Sequence, residues 1–170
     1  VGQRFVQLLD DHPWFEVTCV AASPRSAGKR YEEAVGERWA MKEPIPARVK
    51  DLVMLAVEED KEKIAEQVDL VFSALDLEKD AIKHIEEWYA AHDVPVVSNN
   101  SAHRWTEDVP MIIPEVNPQH LKLIKIQRKN RGWNKGLIAV KSNCSIQSYV
   151  PPLTALWAFK PKEVIVTTYQ

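Results

Sequence analysis

Apolar positions in this chain follow two patterns that alternate along its length. In short runs, apolar residues are nearly continuous, which is typical of strands buried on both faces. Between the runs, apolar residues recur every three or four positions among charged ones, which is typical of helices with one buried face. The runs predict strands at 16–22, 52–57, 69–75, 94–98, 137–140 and 164–168.

Helices are predicted between most of these strands. The clearest is 77–92, where Ile82, Ile85, Trp88 and Tyr89 fall on one face and charged residues fill the others. Weaker helical patterns occupy 3–12, 59–67, 121–128 and 145–159, whereas 23–35 and 99–118 are predicted to be mainly loops. Because strands alternate with helices, the pattern indicates an α/β domain with a mostly parallel sheet.

Composition narrows the class of protein. The chain has 170 residues, of which 45% are hydrophobic and 27% charged, as in globular domains. A formal net charge of −2 argues against nucleic-acid binding by bulk electrostatics, and no apolar run is long enough to cross a membrane. The chain has two cysteines and no recognisable signal peptide, so we expect a reducing, cytoplasmic environment. The five histidines show no metal-ligand spacing, and we expect no metal.

Polar loops follow four of the predicted strands, at 22–29, 73–76, 98–104 and 141–144. In open parallel sheets, ligands bind beyond the carboxyl ends of the strands. We therefore expect these four loops to meet at one edge of the sheet and to form the ligand site.

Cys144 lies at the junction of a predicted strand and a predicted helix, flanked by Asn143 and Ser145. The N-terminus of a helix favours a thiolate, and its unpaired N–H groups can stabilise an oxyanion. This position is suited to a nucleophile. The alternative is a small packing residue, which is how we interpret Cys19 in the middle of a strand.

Two of the loops carry cations. In the loop 23–29, Ser23, Arg25 and Ser26 are suited to a phosphate, such as the 2′-phosphate of NADP, although a solvated basic loop is the alternative. In the loop 99–104, Arg104 can clamp an anionic group with two hydrogen bonds, although Asn and Ser turns alone would also explain this loop.

Several motifs, taken together, resemble the aspartate-β-semialdehyde dehydrogenase family, in the branch found in archaea, fungi and some bacteria. They occur in the family's order along essentially the whole chain. The matching segments are 1–5 (VGQRF), 22–29 (ASPRSAGK), 70–75 (LVFSAL), 98–104 (SNNSAHR), 113–118 (IPEVNP), 127–133 (QRKNRGW), 143–145 (NCS) and 167–170 (TTYQ).

The resemblance implies a Rossmann-like NADP-binding domain and an enzyme of the aspartate pathway to lysine, methionine and threonine. The enzyme interconverts aspartyl phosphate and aspartate semialdehyde through a thioester on the cysteine at Cys144. The resemblance also implies the roles of the other site residues. Asn143 and Gln170 complete the catalytic set, Arg104 binds phosphate, and the cofactor contacts are Val1, Gly2, Ser23, Arg25, Ser26, Ser73 and Asn100.

The resemblance further implies how the chain is divided. We expect a dinucleotide-binding domain at 1–143, lacking its first strand and most of its glycine-rich loop, and the start of a catalytic domain at 144–170. The family's general-base histidine and most of its oligomer interface come from the rest of that second domain, so we expect full activity and homo-oligomers only with it. An acyl-CoA reductase of the malonyl-CoA type and a non-catalytic nucleotide-binding module remain as alternatives.

Overall fold

A parallel sheet forms the centre of the protein. The structure, a computed structural model, describes residues 1–169. The sheet has four strands in the order β3-β4-β6-β5, and every pair in it is parallel. Its strands are β3 (Val71–Ser73), β4 (Val96–Ser98), β5 (Met111–Ile112) and β6 (Ile138–Lys141).

A second, smaller sheet consists of β1 (Ala21–Ala22) and β2 (Leu55–Ala56), which are also parallel. The β2 strand and the larger sheet share one hydrophobic core, in which Leu55 and Val57 pack with Val96 and Ile138. The predicted fold class, an α/β domain with a mostly parallel sheet, is therefore confirmed.

Helices precede or follow each strand. They are α1 (Gly2–Leu8), α2 (Tyr31–Val35), α3 (Ala47–Lys50), α4 (Lys61–Ala65), α5 (Lys79–Ala91), α6 (Leu123–Arg131) and α7 (Cys144–Ala155), with shorter 3₁₀ turns at Gly36–Arg38, Pro118–Lys122 and Trp157–Phe159. Among residues 1–169, no helix combines the length and the apolar character needed to cross a bilayer.

The longest helix, α5, connects β3 to β4 and packs on the sheet through Ile82, Ile85 and Tyr89, as its periodicity predicts. The Tyr89 hydroxyl donates a hydrogen bond of 3.0 Å to the carbonyl of Val57. Burial raises the pKa of this phenol above its usual range. Because the helix joins two neighbouring parallel strands, it forms the βαβ unit that positions their carboxyl ends.

The buried side chain of Gln127, on α6, holds the start of β6. Its Nε2 donates to the carbonyls of Asp108 and Ile138, and its Oε1 accepts from the Ile138 N–H at 2.9 Å. The end of α6 is fixed by Gly132, whose φ of 68° is in the left-handed region that glycine adopts without strain. These contacts set the position from which β6 leads to Cys144.

A turn at 134–136 locks the end of α5 to the beginning of β6. Asp93 accepts hydrogen bonds from the backbone N–H groups of Asn134, Lys135 and Gly136. These bonds, chiefly those from Lys135 and Gly136, lower the pKa of the Asp93 carboxyl. A Cβ on Gly136 would lie 1.7 Å from the Ala90 carbonyl oxygen. Only glycine therefore permits this close approach between the backbones at positions 90 and 136.

Several predicted elements differ from the structure. The strand predicted at 16–22 is limited to its last two residues, because its ladder bonds go to a two-residue partner, β2. The strand predicted at 164–168 is wrong: within the described chain this segment is irregular and pairs with no strand, and Ile165 is largely exposed. The β5 strand lies between Pro110 and Pro114, in a region predicted to be a loop. It forms because its backbone pairs with the edge of β6.

Candidate functional site

The carboxyl ends of β3, β4 and β6 lie side by side at one edge of the larger sheet. Ser73 is in register with Ser98, and Ser98 with Val140. The loops that follow these strands, 73–76, 98–104 and 141–144, therefore start at one edge, as the sequence predicts. The loop 22–29 follows β1 in the other sheet, so no ladder of the described strands ties it to this edge.

A buried polar network occupies the ends of β3 and β4. The Ser98 hydroxyl donates a hydrogen bond of 2.6 Å to Glu86 Oε1, and Asn100 Nδ2 donates to the same oxygen at 3.0 Å. Asn100 Nδ2 also donates to the Ser73 hydroxyl oxygen at 3.0 Å. Two predicted cofactor residues, Ser73 and Asn100, are thus in direct contact, although they are far apart in the sequence.

His103 is completely buried beside this network. Its Nε2 lies 3.9 Å from Glu86 Oε2, and its Nδ1 lies 3.2 Å from the Thr106 hydroxyl oxygen. Burial lowers the pKa of His103 and outweighs the opposing effect of the nearby Glu86 and Glu87 carboxylates. The imidazole is therefore neutral at pH 7 and supplies no positive charge to the site.

Arg104 links the loop after β4 to the end of β6. Its Nε donates a hydrogen bond of 3.2 Å to the carbonyl of Lys141, three residues before Cys144. The guanidinium is partly exposed. The structure thus ties the loop of Arg104 to the strand end that leads into Cys144.

Cys144 is the first residue of α7, as the junction of a predicted strand and a predicted helix indicates, and it is exposed. Asn143 is the N-cap: its side-chain oxygen accepts a hydrogen bond of 2.9 Å from the N–H of Ser145. Cys144 therefore lies at the N-terminal end of a helix, where backbone N–H groups lack partners within the helix. The other cysteine, Cys19, is half-buried, and burial raises the pKa of its thiol.

The loop after β1 folds into successive turns. The Ser26 N–H donates to the Ser23 carbonyl at 3.0 Å, and the Gly28 N–H donates to the Met54 carbonyl at 2.8 Å. These bonds hold the loop against the segment before β2 and leave Ser23 and Arg25 exposed, with Ser26 half-buried. Exposed hydroxyl and guanidinium groups on an ordered turn fit a phosphate group.

The remaining predicted site residues lie at the two ends of the chain. Val1 is the N-cap of α1 and Gly2 its first residue, so both belong to a helix start. Such a position is suited to a phosphate, and their contact with the cofactor stays a prediction. Gln170 lies outside the described residues. Within residues 1–169, no group of three His, Cys, Asp or Glu side chains is arranged to hold a metal ion.

The sequence model of the NAD-binding domain of semialdehyde dehydrogenases matches residues 1–124. The chain belongs to this family. Semialdehyde dehydrogenases of this type resemble it over its whole length: the aspartate-semialdehyde dehydrogenase of Archaeoglobus fulgidus is 42% identical over 170 residues, or 47% of that protein. The enzyme of the same name from Methanothermobacter thermautotrophicus is 43% identical over 171 residues, again 47% of its length. The chain spans about half the length of these curated relatives.

A solved structure of the semialdehyde dehydrogenase family has the same fold. The aspartate semialdehyde dehydrogenase of Candida albicans, crystallised with NADP, superimposes with a TM-score of 0.77 and is 35% identical. The match covers 92% of this chain and 43% of that one.

Sequence reasoning missed two buried residues of this semialdehyde dehydrogenase domain, Glu86 and His103. The signal for Glu86 was present: Ile82, Ile85 and Tyr89 define the buried face of α5, and position 86 falls on that face. A carboxylate at such a position requires hydrogen-bond partners inside the protein. His103 carried no comparable signal, because its loop has no periodicity.

Proposed function

We propose that this chain is the cofactor-binding part, with the nucleophile, of an NADP-dependent aspartate-semialdehyde dehydrogenase. The observation that supports this most directly is the placement of Cys144. The cysteine is exposed at the start of α7, directly after the strand whose end adjoins the Ser73 and Asn100 network. Relatives that carry the name aspartate-semialdehyde dehydrogenase match the whole chain, which supports aspartate semialdehyde as the substrate.

NADP fits the residues of the loop after β1, of the start of α1 and of the ends of β3 and β4. Arg25, with the hydroxyls of Ser23 and Ser26, would bind the 2′-phosphate on the ordered turn after β1. Ser73 and Asn100 would bind the nicotinamide end, and Val1 and Gly2 at the start of α1 would lie near the pyrophosphate. When bound, NADP supplies the acceptor for a hydride. The NADP-bound relative from Candida albicans supports this cofactor.

In the proposed reaction, the thiolate of Cys144 attacks the aldehyde carbon of aspartate semialdehyde and forms a C–S bond. The carbonyl oxygen becomes an oxyanion, which the backbone N–H groups at the start of α7 can stabilise. Loss of a hydride from the same carbon leaves a thioester on Cys144. Phosphate then attacks the thioester, the C–S bond breaks, and aspartyl phosphate leaves with the thiolate restored. The biosynthetic direction is the reverse.

Three further residues have supporting roles in this proposal. Arg104 would bind the attacking phosphate, since its guanidinium is held near the β6 end by the carbonyl of Lys141. Asn143 would keep Cys144 in place by capping α7. Gln170 would position the substrate or thioester.

The proposal also covers the organisation of the protein. We place the dinucleotide-binding domain at 1–143 and the start of the catalytic domain at 144–170. We expect the enzyme to be a cytoplasmic homo-oligomer. The exposed apolar side chains of Trp157, Phe159 and Ile165 support a further packed surface at this end of the chain.

The test is an assay of the protein at its natural length, with aspartate semialdehyde as substrate and NADP reduction followed at 340 nm. We expect reduction that depends on inorganic phosphate and is much slower with NAD. Coenzyme A in place of phosphate is the control, because an acyl-CoA reductase would use it instead. NADP binding with no turnover on either acceptor would contradict the enzyme and favour a nucleotide-binding module.

A further inference from the structure

Packing alone does not explain why a glutamate occupies position 86. Glu86 is 1% exposed and lies on the apolar face of α5, between Ile82 and Tyr89. A leucine would fill similar space without the cost of removing a polar group from water. What leucine cannot do is accept hydrogen bonds, and Glu86 Oε1 accepts two, from Ser98 and Asn100.

These bonds fix the direction of every other bond in the network. Glu86 Oε1 accepts both bonds, so the Ser98 hydroxyl donates to it and can then accept from the Asn100 backbone N–H at 3.0 Å. For the same reason the Asn100 side chain must turn its Nδ2, and not its Oδ1, toward Glu86. The second Nδ2 hydrogen goes to the Ser73 hydroxyl oxygen.

After these bonds have formed, Asn100 and Ser73 each keep one free hydrogen-bonding group. With both Nδ2 hydrogens used, Asn100 retains Oδ1 as an acceptor. With its oxygen accepting from Asn100, Ser73 retains its O–H as a donor. The two residues stand at the ends of neighbouring strands and so offer one acceptor and one donor side by side. This pair is complementary to a primary carboxamide, which has one C=O and one NH₂ group.

We propose that Glu86 is a positioning residue, which orients Asn100 and Ser73 to bind the carboxamide of the nicotinamide ring. In this arrangement Asn100 Oδ1 accepts from the carboxamide N–H and the Ser73 hydroxyl donates to its carbonyl. The inference rests on the proposed function, because it assumes that the nicotinamide end of NADP binds at this edge. Glu86 itself touches no ligand and acts through Asn100.

The test compares two cofactors by titration calorimetry on the protein at its natural length. The 3-acetylpyridine analogue of NADP has a methyl group in place of the carboxamide NH₂, so Asn100 Oδ1 would face no donor. An unpaired acceptor costs about 1–3 kcal/mol, so we expect the wild type to bind NADP at least about 5-fold more tightly than the analogue. Glu86→Leu should lose this preference, whereas Glu86→Gln should keep it, because the amide oxygen can still accept both bonds.

A double-mutant cycle tests whether Glu86 acts through Asn100. Asn100→Ala should also abolish the preference, and adding Glu86→Leu should change the affinity ratio no further. Tyr89→Phe is the matched control: it removes a buried hydrogen bond from the same helix, away from the strand ends, and should lower stability without changing the ratio. A preference retained in Glu86→Leu, or lost equally in Tyr89→Phe, would overturn the proposal.

A second measurement needs no variant and no cofactor. The Asn100 side-chain amide protons, held by Glu86 and Ser73, should exchange with solvent at least about 100-fold more slowly than those of the exposed Asn134. Equal exchange rates would overturn the orienting role of Glu86, even if Glu86→Leu does not fold. If instead Asn100 is protected and the wild type binds no NADP, it is the proposed function that fails.

Discussion

Oε2 of Glu86 and Nε2 of His103 lie 3.9 Å apart in the interior of the protein, and neither atom has a well-formed hydrogen bond within residues 1–169. The other oxygen of Glu86 accepts from Ser98 and Asn100. The pair would attract strongly if His103 were protonated, but burial opposes that charge and keeps the pKa of His103 low. The network at the strand ends is thus built around one carboxylate and a neutral imidazole.

The first prediction concerns pH. His103 ordinarily titrates near pH 6.5, which is its behaviour in the unfolded chain, and its pKa is lower in the folded protein. Around and below pH 6.5 the unfolded state therefore binds more protons than the folded state, and the free energy of unfolding should fall as the pH falls. The contribution of this residue is at most about 1.4 kcal/mol per pH unit. Urea unfolding at several pH values between 7.5 and 5.5 measures it.

A substitution separates this effect from other titrations. His103→Gln should flatten the curve, by at most about 1 kcal/mol between pH 6.5 and 5.5. The groups around His103 are Glu86 and Glu87 on α5, Arg131 on α6 and Asp108 in the loop before β5. If the unfolding free energies of His103→Gln and the wild type change in parallel with pH, His103 is not the source of the pH dependence.

The second prediction concerns the two thiols. Cys144→Ser should reduce kcat/KM of the protein at its natural length by at least about 10³-fold, because serine is a far weaker nucleophile. Its unfolding free energy should change by less than about 0.5 kcal/mol, since the position is exposed. Cys19→Ser is the matched control and should keep activity within a few-fold. Iodoacetamide should modify Cys144 first and inactivate the enzyme; an active enzyme alkylated at Cys144 would refute its role.

The third prediction concerns the choice of cofactor. Arg25→Ala should weaken NADP binding by about 10- to 100-fold, the range for a lost hydrogen bond to a charged group, and leave NAD binding nearly unchanged. Lys42→Ala removes one positive charge from another exposed position and controls for net charge. Calorimetric titration with both cofactors measures the difference. An equal loss of NADP and NAD affinity in Arg25→Ala would rule out recognition of the 2′-phosphate.

The fourth prediction concerns the close approach of Gly136 to Ala90. Gly136→Ala would place a methyl group against backbone atoms, which cannot move without displacing α5 or β6. We expect a loss of about 3 kcal/mol and a fall in Tm of roughly 6–12 °C, measured by thermal unfolding. Gly2→Ala is the control, because a Cβ there meets no atom within 4 Å. Equal Tm values for the two variants would show that the backbones separate easily.

The fold class and the location of Cys144 could be predicted from the sequence because each depends on local pattern. Helix α5 follows from its periodicity. The start of α7 follows from an apolar run that gives way to Ser142 and the capping residue Asn143. The order of the strands could not be predicted, since it depends on which edges meet in space. Two of the errors in strand prediction have this origin. The β5 strand forms because it pairs with the edge of β6, whereas the segment 164–168 pairs with no strand within the described chain.

In the candidate site, too, local features could be predicted from the sequence, whereas contacts between distant segments could not. Loop chemistry indicated Arg25 and Arg104, each within its own loop, and the family resemblance added Asn100. The contact between Asn100 and Ser73, and the burial of Glu86 beneath them, depend on the register of β3 with β4. A polar residue on an otherwise apolar helix face was the one sign that such a network existed.

The hydrogen bond from Arg104 to the Lys141 carbonyl has a mechanical consequence. Because Nε is engaged with the backbone, a phosphate bound to the two terminal nitrogens of Arg104, as we propose, would pull on the peptide that leads into α7. Arrival of the second reactant would therefore be transmitted, through a single arginine, to the sulfur that carries the first.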